Sequence, residues 1–423
     1  MRSTVSLLRS AVGAGARYRS LLRSQYLAPS ELRDLSHARL ERTLEVAGGI
    51  PFYRELHRGR PRAGDLTSLP VLSRFDIDGL SRSVTATLPP ERPLVEARSS
   101  GTTGMPVSFL LDDAHQHGRF AARVRYLRAH GWHPLRRTAW LIGLRPGFPD
   151  GDLARRRWLG GARFHSHIEP FDAQLAWLRA LRPQGLYTLP STLDALLRGL
   201  EESGERLEGL ARLFTGGEVL EDALRERVRR RLGIEIADNY GATEAFLAWQ
   251  CPAGSYHVNA EHVLLELVDD AGRPVAPGEM GRVLVTTLEN RLMPLVRWEI
   301  GDFAVAREGP CACGRTLPLI GRVIGRAINL FRRPDGTLYS PWTLHEVVRE
   351  LPEIREIQIV QRALTHYVVR VASGAELGAA HAAQVQAGFS ALLGPEVRAE
   401  IDQVERIERT PFGKYMAALS EVG

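Results

Sequence analysis

Between residues 138 and 245 the chain alternates short apolar runs with amphipathic ones, and the β-like runs end in small or turn-forming residues. "TAWLIGL" reads as a strand, and "GLYTLPSTLDALLRGLEESG" as a strand running into a helix. "ARLFTGGEVL" reads as a strand ending at Gly-Gly-Glu, "EDALRERVRRRLG" as a helix, and "IEIADNYGATEA" as a strand ending in a second loop. Such alternation specifies an α/β domain. Ligands of α/β domains bind at loops beyond the C-terminal ends of the strands. The loops at 216–218 and 238–244 are therefore where function is expected.

The flanks differ in pattern. Residues 1–60 read as helices, with helical periodicity in "SELRDLSHARLERTLEVAGGIPFYREL" up to the Gly-Gly-Ile-Pro break. The basic, amphipathic start "MRSTVSLLRSAVGAGARYRSLLRSQYL" has its apolar residues broken by Arg and Ser. It lacks the continuous apolar core of a signal peptide, so a helix packing on the domain is expected. "HVLLELVDDAGRPVAPGEMGRVLVTTL" reads as a hairpin. After about residue 325 short strands ("IQIVQR", "HYVVRVA"), a helix ("AAHAAQVQAGFSALLG") and a strand ("VRAEIDQVERI") form a separate α+β unit. At 423 residues, a large domain with a smaller one is the natural organisation.

A further loop, "EARSSGTTGMPVSF", lies between two strand candidates, "LVEAR" and "VSFLLD". Ser99, Ser100, Gly101, Thr102, Thr103 and Gly104 combine hydroxyls with glycines, which let a backbone approach a phosphate closely. Such clusters are also ordinary surface turns, and both readings stand on these residues alone. Met105 follows, with no Gly-Lys-Ser/Thr, so the common ATPase loop is excluded. The net charge of +6 is mild and fits an anionic substrate. No Lys/Arg block with interleaved aromatics suggests a nucleic-acid groove, and no apolar run has transmembrane length. A cytoplasmic protein without membrane or nucleic-acid partners is expected.

The three cysteines, Cys251, Cys311 and Cys313, are too few and too odd in number for a disulfide framework. "CPAGSYH" adds His257 to Cys251, and "CACG" holds the other two. Three thiolates and an imidazole match a structural zinc set, and unrelated loop residues are the alternative.

Taken in order with "VRWEIGDFA" (Arg297, Asp302), "LIGR" (Arg322) and "RTPFGKY" (Lys414), these loops resemble the adenylate-forming superfamily of acyl- and aryl-CoA synthetases. "IPFYREL", "LTSLPVLSRFDI" and "CACGRTLPLIGR" narrow the resemblance to its phenylacetate–CoA ligase-like branch, over nearly the whole chain. The resemblance implies an α/β fold with a large multi-sheet adenylation domain over 1–322. It also implies a small mobile α+β lid over 323–423. It implies ATP-dependent activation of a small carboxylic acid, expected to be aromatic, as an acyl-adenylate. Transfer to the CoA thiol follows. Transfer to an amine or a carrier-protein thiol, and a non-catalytic relative, are the other readings.

The resemblance also assigns roles. Ser99 to Gly104 would hold the β- and γ-phosphates, and Thr243 the α-phosphate. Glu244 would ligate Mg2+, as carboxylates do. Tyr240 would stack near adenine, while Gly216, Gly217 and Glu218 would line adenine and the acyl pocket. Asp238, Asn239 and Gly241 belong to the nucleotide loop, with Gly241 and Ala242 also facing substrate. Asp302 would accept from both ribose hydroxyls, and Arg322 would reach the ribose or phosphate side. Lys414 would bridge the attacking carboxylate and the α-phosphate. Trp140, with Phe148 and Tyr187 as further aromatics, is a substrate-pocket candidate. Two positions depart from the family: Met105 stands where a Lys is usual, and Ile324-Gly325 where a hinge Asp is expected. Some members of the branch show a Cys/His pattern like the one above.

Overall fold

The computed structural model describes residues 4–57, 63–89, 95–98, 107–143, 161–326, 330–339, 341–409 and 416–422. The chain divides into two compact units, Met1–Val323 and Ile324–Gly423. The loop Ser99–Gly104, Met105, Phe148 and Lys414 lie outside the described residues.

The large unit opens with helices α1 (Thr4–Ser24), α2 (Pro29–Gly49), α3 (Pro51–Leu56) and α4 (Ile77–Ala86). An antiparallel ribbon follows, β1 (Val95–Arg98) with β2 (Ser108–Leu111), registered Val95 to Leu111. Next come α5 (Asp113–Ala129), β3 (Thr138–Ile142), β4 (Ala162–Ser166), α6 (Phe171–Leu181), β5 (Gly185–Thr188) and α7 (Pro190–Glu202). They lead to β6 (Arg212–Gly216), α8 (Asp222–Leu232), β7 (Ile236–Gly241), β8 (Phe246–Gln250) and β9 (Tyr256–Val258). β10 (Val263–Val268), β11 (Met280–Thr287), β12 (Trp298–Ala306) and β13 (Leu319–Arg326) complete the set.

Eleven of these strands form one sheet in the order β10-β11-β12-β13-β9-β8-β7-β6-β5-β3-β4. From β4 to β7 the pairs are parallel. At β7 the direction reverses, because β8 returns antiparallel to it. Among the described residues, this sheet and the β1–β2 ribbon are the sheets of the large unit.

The parallel half follows from its sequence. Trp140, Tyr187, Phe214 and Ala237 fall in one buried cluster, and their neighbours Leu141, Leu186, Leu213 and Ile236 in another. Alternate residues point to opposite faces of a strand, so both faces are covered and the strands read as continuous apolar runs. On the second face α7 supplies Leu193, Leu196, Leu197 and Leu200, the 3–4 spacing of one helical stripe. Helix α8 carries Asp222 in its first turn and Arg229, Arg230 and Arg231 in its last, complementing the helix dipole. It stops at Gly233, whose φ of +67° suits glycine.

The amphipathic start packs as a helix, α1, against α5. At its end Ser24 donates to Glu261 at 2.6 Å, and Glu261 pairs with Arg125 at 2.7 Å, both about 1% exposed. Among the described residues no helix is long and apolar enough to cross a membrane.

The small unit contains β14 (Phe331–Arg332), β15 (Leu338–Tyr339), α9 (Trp342–Arg349), β16 (Ile354–Ala363) and β17 (His366–Ser373). α10 (Ala379–Leu393), β18 (Arg398–Gln403) and β19 (Ala418–Ser420) follow. Its main sheet has the order β18-β17-β16-β19. Val385 and Phe389 of α10 pack with Ile357, Ile359, Val369 and Val371 in its own core. An independent core is what makes it a separate unit.

Candidate active site

The parallel strands end on one side, and their last residues set the site. At the end of β6, Gly216 is buried, and a Cβ there would lie 2.5 Å from the Asn239 side chain. Only glycine lets Asn239 of β7 cross this point, where it donates to the Thr215 carbonyl at 2.5 Å and to Tyr187 Oη at 3.1 Å. Gly217 follows with φ of +85°. Glu218 turns its carboxylate onto the start of α7, accepting from the Ser191 N–H at 2.9 Å.

Asp238 points to the other face of β7 from Asn239. Its carboxylate is buried and accepts from Thr215 Oγ1 at 2.6 Å and from the Tyr256 hydroxyl. Burial pushes this carboxyl above its ordinary range, against the pull of those two donors.

Two residues far apart in sequence meet here. Tyr240 on β7 donates to Asp302 Oδ2 on β12 at 2.7 Å. Asp302 is 8% exposed and lies inside a strand, after Gly301 with φ of +83°. An Asx-turn, the ordinary reading of a Gly-Asp pair, is therefore not what forms here.

The 241–245 segment turns from β7 into β8, closed by Ala242 N–H donating to the Ala245 carbonyl at 2.8 Å. Glu244 is 5% exposed, and Oε1 accepts from the Trp298 indole N–H at 2.8 Å. The backbone of this turn is held from α5. Arg119 donates to the carbonyls of Thr243 at 2.8 Å and Ala242 at 3.2 Å. His115 Nε2 lies 2.6 Å from the Glu244 carbonyl. Burial pushes the His115 imidazole down to about 3, so it is neutral at physiological pH. A carbonyl only accepts, so Nε2 carries the proton.

Arg119, His115 and Trp298 were not singled out from sequence. His115 and Arg119 are four residues apart and share a helix face, which is the one sequence signal they give.

Other candidates are placed differently. Trp140 stacks on Tyr187 at 4.6 Å with 20° between the rings, and Phe164 lies 5.7 Å from it. The Arg123 guanidinium sits 5.9 Å from the Tyr187 ring centre and 5.7 Å from that of Phe246. Arg322 is exposed on β13, and no bond among the described residues ties it to Asp302 or Tyr240. Arg297 of the same motif as Asp302 serves the fold. It is 2% exposed and donates to the carbonyls of Thr67, Leu69 and Gly272 and to Glu266. Gly325 has φ of +100°, backbone that a side chain would strain, and Ile324 beside it is buried.

Cys251, His257, Cys311 and Cys313 come together, with ligand atoms within 4.8 Å of one another. Two tight turns present the thiols. Gly254 N–H donates to the Cys251 carbonyl at 2.8 Å, and Gly314 N–H to that of Cys311 at 3.0 Å. Both glycines have positive φ, +81° and +75°. Cys251 and Cys311 sulfurs are 3.7 Å apart, and Cys313 Sγ is 3.2 Å from His257 Nε2. A disulfide needs about 2.05 Å, whereas sulfurs on one tetrahedral zinc lie about 3.8 Å apart, from Zn–S bonds of about 2.3 Å. His257 Nδ1 faces the Leu317 carbonyl at 3.3 Å, which directs the Nε2 lone pair at the thiols. Burial raises the Cys251 thiol and lowers the His257 imidazole to about 4. The donor set and its outer hydrogen bond fit zinc. The cluster joins β9 to the turn before β13, where Leu319 pairs with His257.

A family described as AMP-binding enzyme matches residues 158–289. The chain is 27% identical over 370 residues to a phenylacetate-coenzyme A ligase of Thermus thermophilus, covering 79% of this chain and 79% of that protein. It is 28% identical to a phenylacetate-coenzyme A ligase of Escherichia coli, covering 75% and 76%. Among solved structures, a 2-hydroxyisobutyryl-CoA ligase in the postadenylation state, in complex with 2-HIB-AMP, superposes with a TM-score of 0.76 at 21% identity. That match covers 94% of this chain and 91% of that one.

Proposed function

We propose, for a chain that belongs to the adenylate-forming superfamily in its phenylacetate–CoA ligase-like branch, that it is an AMP-forming acid–CoA ligase. The carboxylate of a small, aromatic acid attacks the α-phosphorus of ATP, giving an acyl-adenylate and pyrophosphate. The CoA thiol then attacks the acyl carbon, giving the thioester, AMP and a proton. No general base is needed at the first step, because a carboxylate is already ionised at neutral pH. Two anions must meet, so the protein's work is positioning and charge stabilisation.

The observation that carries this reading is the convergence at the end of β7. Tyr240 is bonded to Asp302, and the Thr243–Glu244 turn is fixed from α5 and by Trp298. In this reading Asp302 holds the ribose hydroxyls and Tyr240 packs at the adenine. Thr243 reaches the α-phosphate, and Ser99–Gly104 hold the departing pyrophosphate. Gly217, Gly241 and Ala242 leave room for flat groups against the backbone, whereas the space over Gly216 is taken by Asn239. The phenylacetate-coenzyme A ligase relatives support an aromatic acid, while the Trp140–Tyr187 stack lies within the buried core. Asp238, with both oxygens taken by hydroxyls, orders the loop from beneath. In this reading residues 1–322 are the adenylation domain, and 323–423 the small domain that carries Lys414.

Glu244 suits magnesium, a hard cation that takes carboxylate and phosphate oxygens. When bound there it neutralises phosphate charge. Zinc held by Cys251, His257, Cys311 and Cys313 is structural, since all four ligands come from the protein. Unpaired cysteines kept as metal ligands, together with ATP and CoA as substrates, fit the cytoplasm.

ATP–pyrophosphate exchange with purified protein should require both a carboxylic acid and magnesium. Mass spectrometry after adding CoA should then find the acyl-CoA. Exchange without acid, or no exchange with any acid from a broad aryl and acyl panel, would overturn this reading.

A further inference from the structure

We infer that His115 is a positioning residue for the metal-binding carboxylate, acting with Arg119 as a clamp on the backbone of the 242–244 turn. The inference rests on the reading of Glu244 as the magnesium ligand.

The two side chains lie one helical turn apart on α5 and grip three successive carbonyls, those of Ala242, Thr243 and Glu244. A turn between two strands has no ladder to fix its carbonyls, so donors from elsewhere set their direction. Holding the Glu244 carbonyl restricts the rotation of its peptide unit, and so narrows the directions open to its side chain. Trp298 then fixes Oε1 from the start of β12. His115 is 1% exposed, so its bond to the Glu244 carbonyl does not compete with water.

The helix carrying the clamp is itself pinned. Asp112 caps it, accepting from the His115 N–H at 2.7 Å, and its other oxygen accepts from the Arg291 N–H at 2.7 Å. Gly118 faces the bonded pair Glu289–His262, and a Cβ there would lie 2.2 Å from Glu289 Oε2. Glu289 is tied in turn to Arg39 at 2.7 Å and to Arg17. A helix pressed this closely onto an ion-paired wall holds a site with little play.

The test compares His115→Leu, which removes the donor, with His115→Gln, whose amide N–H reaches the same carbonyl. Mn2+ serves as the spectroscopic probe, titrated by electron paramagnetic resonance with α,β-methylene-ATP present. H115L should weaken Mn2+ binding about tenfold and slow ATP–pyrophosphate exchange about 10–100-fold, the scale of losing a residue that orients a metal ligand. KM for the acid should stay within about twofold. H115Q should recover to within about threefold on both readouts. Wild-type Mn2+ binding in H115L, or H115Q as impaired as H115L, would overturn the inference. If H115L loses the native melting transition, Arg119→Met is read in the same way. Glu244→Gln, measured alongside, separates the two ideas. If E244Q binds Mn2+ like wild type, the metal assignment itself fails. If E244Q loses Mn2+ and H115L does not, only the clamp fails.

Discussion

Lys414→Ala slows adenylate formation by about two to four orders of magnitude, the scale of losing one cation that contacts charge developing in the transition state. The reasoning is electrostatic. Attack of a carboxylate on a triphosphate brings like charges together, and Met105 stands where the phosphate loop usually has a second cation. Folding should be little affected, because the core of the small unit comes from β14, α9, β16–β18 and α10, with Ala418 the one described core residue beyond position 414. A chemically prepared acyl-adenylate bypasses the first step, so its transfer to CoA should survive in K414A at nearly the wild-type rate. That split is the informative measurement. Equal loss of both half-reactions means that Lys414 serves the fold or that the small unit does not rotate between steps. The second outcome would fit Ile324-Gly325 at the expected hinge. No change in either half-reaction would refute the mechanism proposed here.

Tag-free protein should contain about one zinc per chain, and Cys311→Ser should lose it and melt about 10 °C lower, since metal binding is folding free energy. The four ligands come from two segments about 60 residues apart, so the ion closes a long loop. The affected region is β8, β9 and the turn before β13, whose pairing with β9 involves two residue pairs. Below the melting point the variant should still make adenylate, because no zinc ligand lies among the nucleotide residues. Elemental analysis and a melting curve decide it. Metal-free wild-type protein whose melting is unchanged by chelation would refute the assignment.

The parallel half of the sheet was legible because local pattern and tertiary role coincide there. A strand covered on both faces must be apolar throughout, and each helix between strands shows its own stripe. Loops 216–218 and 238–244 could therefore be placed before any coordinates, as could the small α+β unit. The Cys/His cluster was legible for a different reason: all three cysteines of the chain fall into it.

Other parts carried no such signal. β4 and α6 were not read from sequence. β4 is an edge strand of mixed polarity with no fully buried residue, and only pairing with β3 makes it a strand. β9 has three residues, and its partner in β13 is about 60 residues away. Asp302 was found as a motif, but its place inside β12 beside Tyr240 depends on the sheet order. The same holds for Arg297, whose guanidinium turns into the core. Sequence by itself determined the element types, the loops at strand ends and the chemical identity of the candidate ligands, because these depend on residues close in the chain. Tertiary structure alone decided what His115, Arg119 and Trp298 do. Periodicity fixes the face on which a side chain lies, while the carbonyl it meets is set by long-range packing of α5 and β12 around the 242–244 turn.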